Sequence, residues 1–588
     1  MRFFVLMLTA LSTACVVQGG AAVTGDGNAA DSELVSKLKK RLEQLESRVD
    51  RMGLSGGGAA SAKASAPAQV GGQLRIAVTE PNTLNDILDV RDWYSVLMGR
   101  RMMEGLVDWD PRSMKLYGLL AERWEVSADQ KIVTFYLRKN VKWHDGESFD
   151  ADDVVFTWNA LFNPSYTTSK VRTDFKDAEK LEKIDQYTVR VTWKEVFFNA
   201  VGVMDALAIM PEHVFAKDKT DFNKHPYHRA PIGTGSYQFG AWKTGDHILL
   251  KRNKNYWGKN LSDPPFVYPK PSIDEIKFIV ISEAEVRLQA FKRGDLDYTS
   301  LTPDQFAVNE DTFRSDPSIG ISQYALPSYS YAVWNGRRPQ LKDKRVRIAL
   351  AYAMNRDAVI EHVYRGAYKR ITGPFLPESD AYNHDLKPRE FDLVKSAELF
   401  KEAGWTRNPK GKLVNAEDKP FKFEMLLPAS SKTGIAIATI YKKDLSRLGI
   451  DMEIKTIEWA TFLKSLNDHD FDFAMLGWRL GYVTDPYGLW HSTEATTGSN
   501  YHGLDNKRMD ELVTTIRGTM DATKRDELCK EVHKIVYDEQ PYLFISRPAA
   551  KVAYRKYLKN FQPLPIMTVN DPRGWWIDQA ERKRVLGK

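Results

Sequence analysis

The sequence predicts an α/β protein of more than one lobe, with a short helix of coiled-coil type ahead of the folded body. Three observations lead there. Short runs that alternate apolar and polar residues recur along the chain between longer runs of helical period, the mark of mixed strands and helices. At 588 residues the chain is too long for one ordinary hydrophobic core. A heptad pattern near the N-terminus is separated from everything after it by a linker of small residues.

The first residues read as an export signal. Arg2 supplies the positive charge, and Phe3 to Ala14 form an apolar run too short to cross a bilayer. Ser12-Thr13-Ala14-Cys15 is similar to a bacterial lipoprotein cleavage box, with Ser12 where Leu is usual. On that reading Cys15 becomes the lipidated mature N-terminus and tethers an exported, periplasmic or cell-surface protein to a membrane. Simple cleavage near Gly20-Ala21-Ala22 is the alternative. The other cysteine, Cys529, sits in a helical context, so neither an intrachain disulfide nor a thiolate metal cluster is expected.

Within 30–54, Val35, Leu38, Leu42, Leu45, Val49 and Met52 fall at alternating intervals of three and four, an unbroken a/d seam. Residues 35–52 would either pair as a parallel homodimer, with Arg41 meeting Glu46 of the other helix, or stand as a solitary solvated stalk. Gly53 ends the helix, and 55–72 is a flexible Gly/Ala/Ser linker.

The clearest local grammar lies in 119–164. Arg123-Trp124-Glu125-Val126 leads into a polar turn, and Ile132 to Leu137 alternate as a strand. A second short strand is expected at Val141-Lys142-Trp143, ending in His144-Asp145-Gly146. Asp150 then precedes Ala151 to Trp158 as the cap of a helix with Asp152 and Asp153 in its first turn. The two acids are adjacent and point apart, so they start a helix and do not form a glycosidase pair.

The order A-E-x-W-E-V-S, T-F-x-L-R, V-K-W-H-D-G and A-D-D-V-V-F-T-W in this block resembles the peptide/nickel group of bacterial extracellular solute-binding proteins, the capturing subunits of ABC importers. Other stretches extend the resemblance: Glu104-Gly105-Leu106, Pro231 to Tyr237 (P-x-G-T-G-x-Y) and Asn253 to Trp257 (N-x-x-Y-W). Further on come Gly294 to Asp297 (G-x-x-D), Asp343 to Asp357 (D-x-R-V-R…R-D), Ser396 to Trp405, and Asn500 to Leu512. It runs from about Gln73 to about Phe544.

The resemblance implies a two-lobed periplasmic-binding-protein fold. Lobe 1 would comprise 73–104, 211–330 and 553–588, with an extra subdomain at 105–210, and lobe 2 would comprise 331–552. It further implies that ligand is enclosed by closure of the lobes and delivered to permease and ATPase subunits. Gly477-Trp478 matches the segment that lines the cleft in peptide-binding members, where backbone pairs with the peptide as an added strand. Those members place an Asp for the peptide amine three residues after the Trp; here that position is Gly481. Asp485 either compensates or caps the turn before Pro486. Arg479 suits a carboxylate or stacked planar group, and Tyr482, Tyr487 and Trp490 either join it or pack the lobe. Trp93, Tyr94, Trp334 and Asn335 are further candidates, because both segments leave strands expected to face the cleft.

Other function classes find little support. Lys-Thr-Gly at 243–245 and 432–434 lacks a matching S-x-x-K outside the stalk, and no G-x-S-x-G occurs. His225 and His228 are separated by Pro226 and have no E-x-x-H companion, so no metal site is expected. Gly233 and Gly235 serve a tight strand entry and not a phosphate cradle, and no cofactor is called for. The net charge of +7 is dispersed, which argues against nucleic acid. A non-catalytic binder of short peptides, cell-wall peptide included, is the expected function. A non-peptide solute such as an oligosaccharide or nickel chelate, or a sensor or assembly component that no longer serves transport, are the rivals.

Overall fold

The computed structural model describes residues 69–89, 92–110, 115–260, 271–366, 368–481, 485–496, 498–561 and 574–587. Cys15, the heptad at 30–54, most of the linker and Tyr482 lie outside the described residues.

Two sheets organise the fold. The lobe 1 sheet has seven strands, in the order Ile319–Ala325, Ala549–Arg555, Tyr298–Ser300, Gln73–Val78, Glu275–Val280, His247–Arg252 and Tyr237–Lys243. The strand Gln73–Val78 buries Leu74, Ile76 and Val78 on one face and pairs in parallel with Glu275–Val280, Gln73 opposite Glu275 and Val78 opposite Val280. The lobe 2 sheet has five strands, ordered Asp451–Ile457, Lys422–Pro428, Phe473–Arg479, Ser328–Trp334 and Tyr542–Ser546. Helices cover both of its faces, with separate cores around Trp334 and Tyr331.

The chain crosses between the sheets at 326–327 and again at 547–548. Both crossings fall a few residues ahead of the expected boundaries at 331 and 553, because the pairing strands Ser328–Trp334 and Ala549–Arg555 start earlier than their most apolar stretches.

The subdomain holds an antiparallel sheet ordered Ala121–Val126, Ile132–Leu137, Thr188–Trp193 and Ala178–Asp185. Helix Ala151–Phe162 packs on it, and Asp150 and Asp153 close a reciprocal capping box at its start. The expected strand at 141–143 is reduced to a single bridge between Lys142 and Ser148, because His144 to Gly146 turn the chain back at once.

Several of the motif residues hold the lobes together internally. Glu104 is buried and accepts hydrogen bonds from Thr234 Oγ1 at 2.8 Å, Tyr256 Oη at 2.7 Å and Trp257 Nε1 at 2.9 Å. Burial raises its pKa, and those three donors oppose the rise. Gly233 and Gly235 let backbone approach backbone: a Cβ there would fall 1.8 Å and 2.4 Å from the carbonyl oxygens of Met102 and Arg101. His144 spans that same loop, Nδ1 accepting from Gly233 N and Nε2 donating to Gly235 O. Asp297 is fully buried and ties Arg75 of the first strand, at 2.6 Å, to Tyr557 near the C-terminus. In lobe 2, Arg347 donates to the carbonyls of Leu341, Lys342 and Glu539, and Arg356 to those of Phe544 and Arg389. These arginines saturate helix and strand ends that would otherwise be buried without partners.

Candidate interlobe binding site

The site forms where the strand Phe473–Arg479 runs out of one of its neighbours. Along one edge it pairs with Ser328–Trp334 over its whole length, from Trp334 opposite Phe473 to Ser328 opposite Arg479. Along the other edge it meets Lys422–Pro428 only at Phe473 and Ala474. Leu480 N donates to Pro327 O at 2.8 Å, which fixes the alternation of the antiparallel ladder. The even-numbered residues therefore bond towards Ser328–Trp334, and the N–H and C=O groups of Gly477 and Arg479 point to the open edge. Gly477 is exposed, and a Cβ on it would meet only Tyr329 O, at 3.4 Å. This is a strand edge with a clear face above it.

Pleating separates the two side chains that adjoin in sequence. Trp478 falls on the face of Tyr329 and Tyr331, Arg479 on the opposite face with Gly477, Ser328 and Ser330. Trp478 is half-buried, its ring nearly parallel to those of Tyr331 and Tyr501 with both centroids 6.2 Å away. Tyr331 stacks in turn on Tyr542 at 4.2 Å. The Tyr542 hydroxyl lies close enough to Trp478 and Tyr331 to feel them, but no bond of sound geometry closes the set. Among the described residues, the Tyr329 hydroxyl and the Trp490 indole nitrogen are buried without a hydrogen-bond partner.

Arg479 crosses to lobe 1. Its guanidinium carbon lies 3.6 Å from the ring centroid of Trp93, the first residue of helix Trp93–Met102. Among the described residues no carboxylate pairs with it. The side chain is exposed at its surface but hemmed in by protein, and that loss of water draws its pKa down to about 10, with Tyr324 acting in the opposite direction. It remains a cation at neutral pH.

The acids near the site are otherwise engaged. Asp92 caps the helix that carries Trp93, its Oδ1 accepting from Ser95 N at 2.8 Å and its Oδ2 from Asn82 N at 3.3 Å. Asp485 accepts from Tyr487 N at 3.0 Å, capping the turn around Pro486, and from Arg517 Nε at 2.7 Å. Arg517 also bonds Asp177 of the subdomain, joining it to lobe 2. Beside it Lys176 pairs with Glu494 at 2.8 Å and lies over Tyr487 at 3.5 Å, and Phe198 N donates to Arg517 O at 2.8 Å. This clasp was not visible in the sequence: its partners are far apart in the chain and belong to no motif.

The remaining candidates pack the fold. Trp334 is fully buried and stacks on Phe473 with ring centroids 3.8 Å apart, a central position in the sheet that keeps it from the cleft. Asn335, also buried, donates to the carbonyls of His469 and Phe471, both at 2.9 Å, and accepts from Arg337 N. Trp490 is buried 4.7 Å from the ring of Tyr542. The structure thus brings Gly477, Trp478, Arg479 and Trp93 to one place and assigns Asp485 to the clasp. Among the described residues no three His, Cys, Asp or Glu side chains are placed to hold a metal. His225 and His228 engage Tyr227 N and Asn85 instead. No helix among the described residues is long and apolar enough to cross a membrane.

Comparison with known proteins places this geometry. The model for bacterial extracellular solute-binding proteins, family 5 Middle, matches residues 115–500. The oligopeptide-binding protein AppA of Bacillus subtilis is 25% identical over 532 residues, 88% of this chain and 94% of its own length. Its structure in complex with a nonapeptide superposes with a TM-score of 0.77, covering 87% of this chain and all of that one. The dipeptide-binding protein of Escherichia coli is 29% identical over 480 residues, 76% of this chain and 84% of its own. The NikZ structure from Campylobacter jejuni, in complex with Ni(L-His), shares the fold at a TM-score of 0.73 and 22% identity, covering 86% of this chain and 99% of that one.

Proposed function

Because this chain belongs to the bacterial extracellular solute-binding proteins of family 5, we propose that it is the substrate-binding subunit of an ABC importer. It holds a short peptide between its lobes and delivers it to a membrane permease driven by ATPase subunits. The observation that carries this reading is the open edge at Gly477 and Arg479. An extended peptide laid there completes the ladder that Lys422–Pro428 abandons after Ala474. Main-chain pairing of this kind accepts many sequences, and the half-buried Trp478 offers a surface for the flanking side chains. The family is one of substrate binding, and the reading needs no bond chemistry. Relatives whose names specify oligopeptide and dipeptide binding support the peptide class.

The same reading extends to the N-terminal residues: a lipidated Cys15 anchoring the exported protein, and 35–52 pairing two copies or spacing one from the membrane. Sedimentation of the mature chain with and without 30–54 tests the pairing, and monomers in both would remove it.

Mass spectrometry of the molecule that co-purifies with the protein tests the central proposal, backed by thermal-shift titration with peptides, oligosaccharides and nickel chelates. Peptide-specific stabilisation is expected; stabilisation by sugars or chelates alone would sink it. A non-peptide solute is the second reading, favoured by Gly481 where an amine-binding acid is expected.

A further inference from the structure

We propose that Arg479, stacked on Trp93, is a carboxylate-binding subsite of the cleft, so that the ligand is anchored by an acidic group and not by an amine. The inference rests on the peptide reading above and narrows it to one chemical class: peptides with an accessible carboxylate, including those whose amine is blocked.

Three independent observations meet here. The first is geometric. Arg479 ends the strand whose open edge would pair with a peptide, and its side chain shares a face with exposed Gly477. Trp93 holds the guanidinium plane from the other lobe at 3.6 Å. A stacked guanidinium keeps its edge N–H groups free for a bidentate bond to a carboxylate, and the stacking fixes their direction in advance.

The second is the charge inventory. Three other arginines at contacts between segments are met by carboxylates, Arg517 by Asp177 and Asp485, Arg100 by Asp86 and Asp205, and Arg547 by Glu378, while Arg525 and Arg356 spend their donors on backbone carbonyls. Arg479 has no such partner among the described residues, although it is exposed and neighbouring protein draws off part of its water. A crowded cation without a counter-ion is stabilised by any carboxylate that reaches it.

The third is the state of the acids. Position 481 is Gly, Asp92 is committed to its helix cap, and Asp485 is committed to Arg517 and to Tyr487 N. Recruiting either acid to an amine would break bonds that hold the fold. The open groups of the cleft therefore favour an anion.

The test uses the full chain and two randomised tripeptide libraries, read by native mass spectrometry. One library is N-acetylated with a free C-terminal carboxylate; the other has a free amine and a C-terminal amide. The proposal expects the acetylated acids to be retained at least tenfold more strongly. Equal retention, or preference for the amine-amides, overturns it while leaving peptide binding intact. Retention of neither library overturns it together with the peptide reading. Arg479→Gln should abolish the discrimination and Arg479→Lys should restore part of it. Discrimination unchanged in Arg479→Gln would assign the carboxylate to another residue. The library comparison on the unaltered protein decides the matter even where a variant folds poorly.

Discussion

Two of the arginines that bridge segments of this molecule have surroundings that differ in one respect. Arg517 reaches from lobe 2 to the subdomain and is met by two carboxylates, Asp177 and Asp485, with Tyr487 against its side. Arg479 reaches from lobe 2 to lobe 1 and is met by an indole face with no acid. The first is electrostatically complete, and its value is structural. The second has its position set by the indole and its charge unanswered among the described residues, which is why we propose that it receives a ligand.

The comparison can be broken most sharply at Arg517. Its side chain is largely buried, and its removal strands two acids, so Arg517→Ala should cost about 2–3 kcal/mol in urea unfolding after allowance for the partial exposure of Asp177. Arg479→Ala should cost less than about 1 kcal/mol, the worth of a partly exposed cation–π contact. Equal costs would erase the distinction. Next in size is Gly477→Val, which should weaken peptide binding by roughly tenfold or more, since the new side chain stands over the open edge. Its melting temperature should barely change, because only Tyr329 O, at 3.4 Å, meets the added Cβ. A variant that binds normally would remove the edge from the mechanism. A double-mutant cycle of Arg517→Ala with Asp177→Ala should then give a coupling of about 1–2 kcal/mol. The smallest effect belongs to Lys176→Met, expected to cost about 1 kcal/mol as the partly buried pair with Glu494 and the contact on Tyr487 are lost. A cost as large as that at Arg517 would show that the clasp is centred elsewhere.

What could be read in advance follows from the range of each interaction. The strand at 132–137 and the capped helix after Asp150 are specified within a few residues by alternation and by a cap, and both were legible. The lobes were legible through the motif resemblance, and the structure shows part of the motifs' work: Glu104, Thr234, Tyr256 and Trp257 come from three separate motifs and converge on one buried carboxylate. At the candidate site, the sequence proposes Gly477 and Trp478 through the motif resemblance, but it does not show that the pleat sends Trp478 and Arg479 to opposite faces. That depends on register with Ser328–Trp334, a partner strand far away in the chain. Trp334 and Asn335 looked like cleft residues because they end a strand, but the strand is central and its end is covered by His469 to Phe471. The sequence leaves Asp485 two readings, and nothing local to Asp485 or Arg517 announces their pair.

The order of strands in the lobe 1 sheet has a consequence for how the molecule is made. The strand Ala549–Arg555 lies between Ile319–Ala325 and Tyr298–Ser300, with an antiparallel partner on either side. Until that stretch emerges, the sheet has a vacant slot in its interior, and Tyr557 has not yet reached Asp297. Lobe 1 therefore cannot complete its folding on a growing chain, whereas lobe 2, drawn from one continuous span, can do so first. Contacts of such long sequence separation form slowly. A nascent chain therefore carries an unfinished lobe 1 until the segment 549–557 appears to fill the slot and reach Asp297.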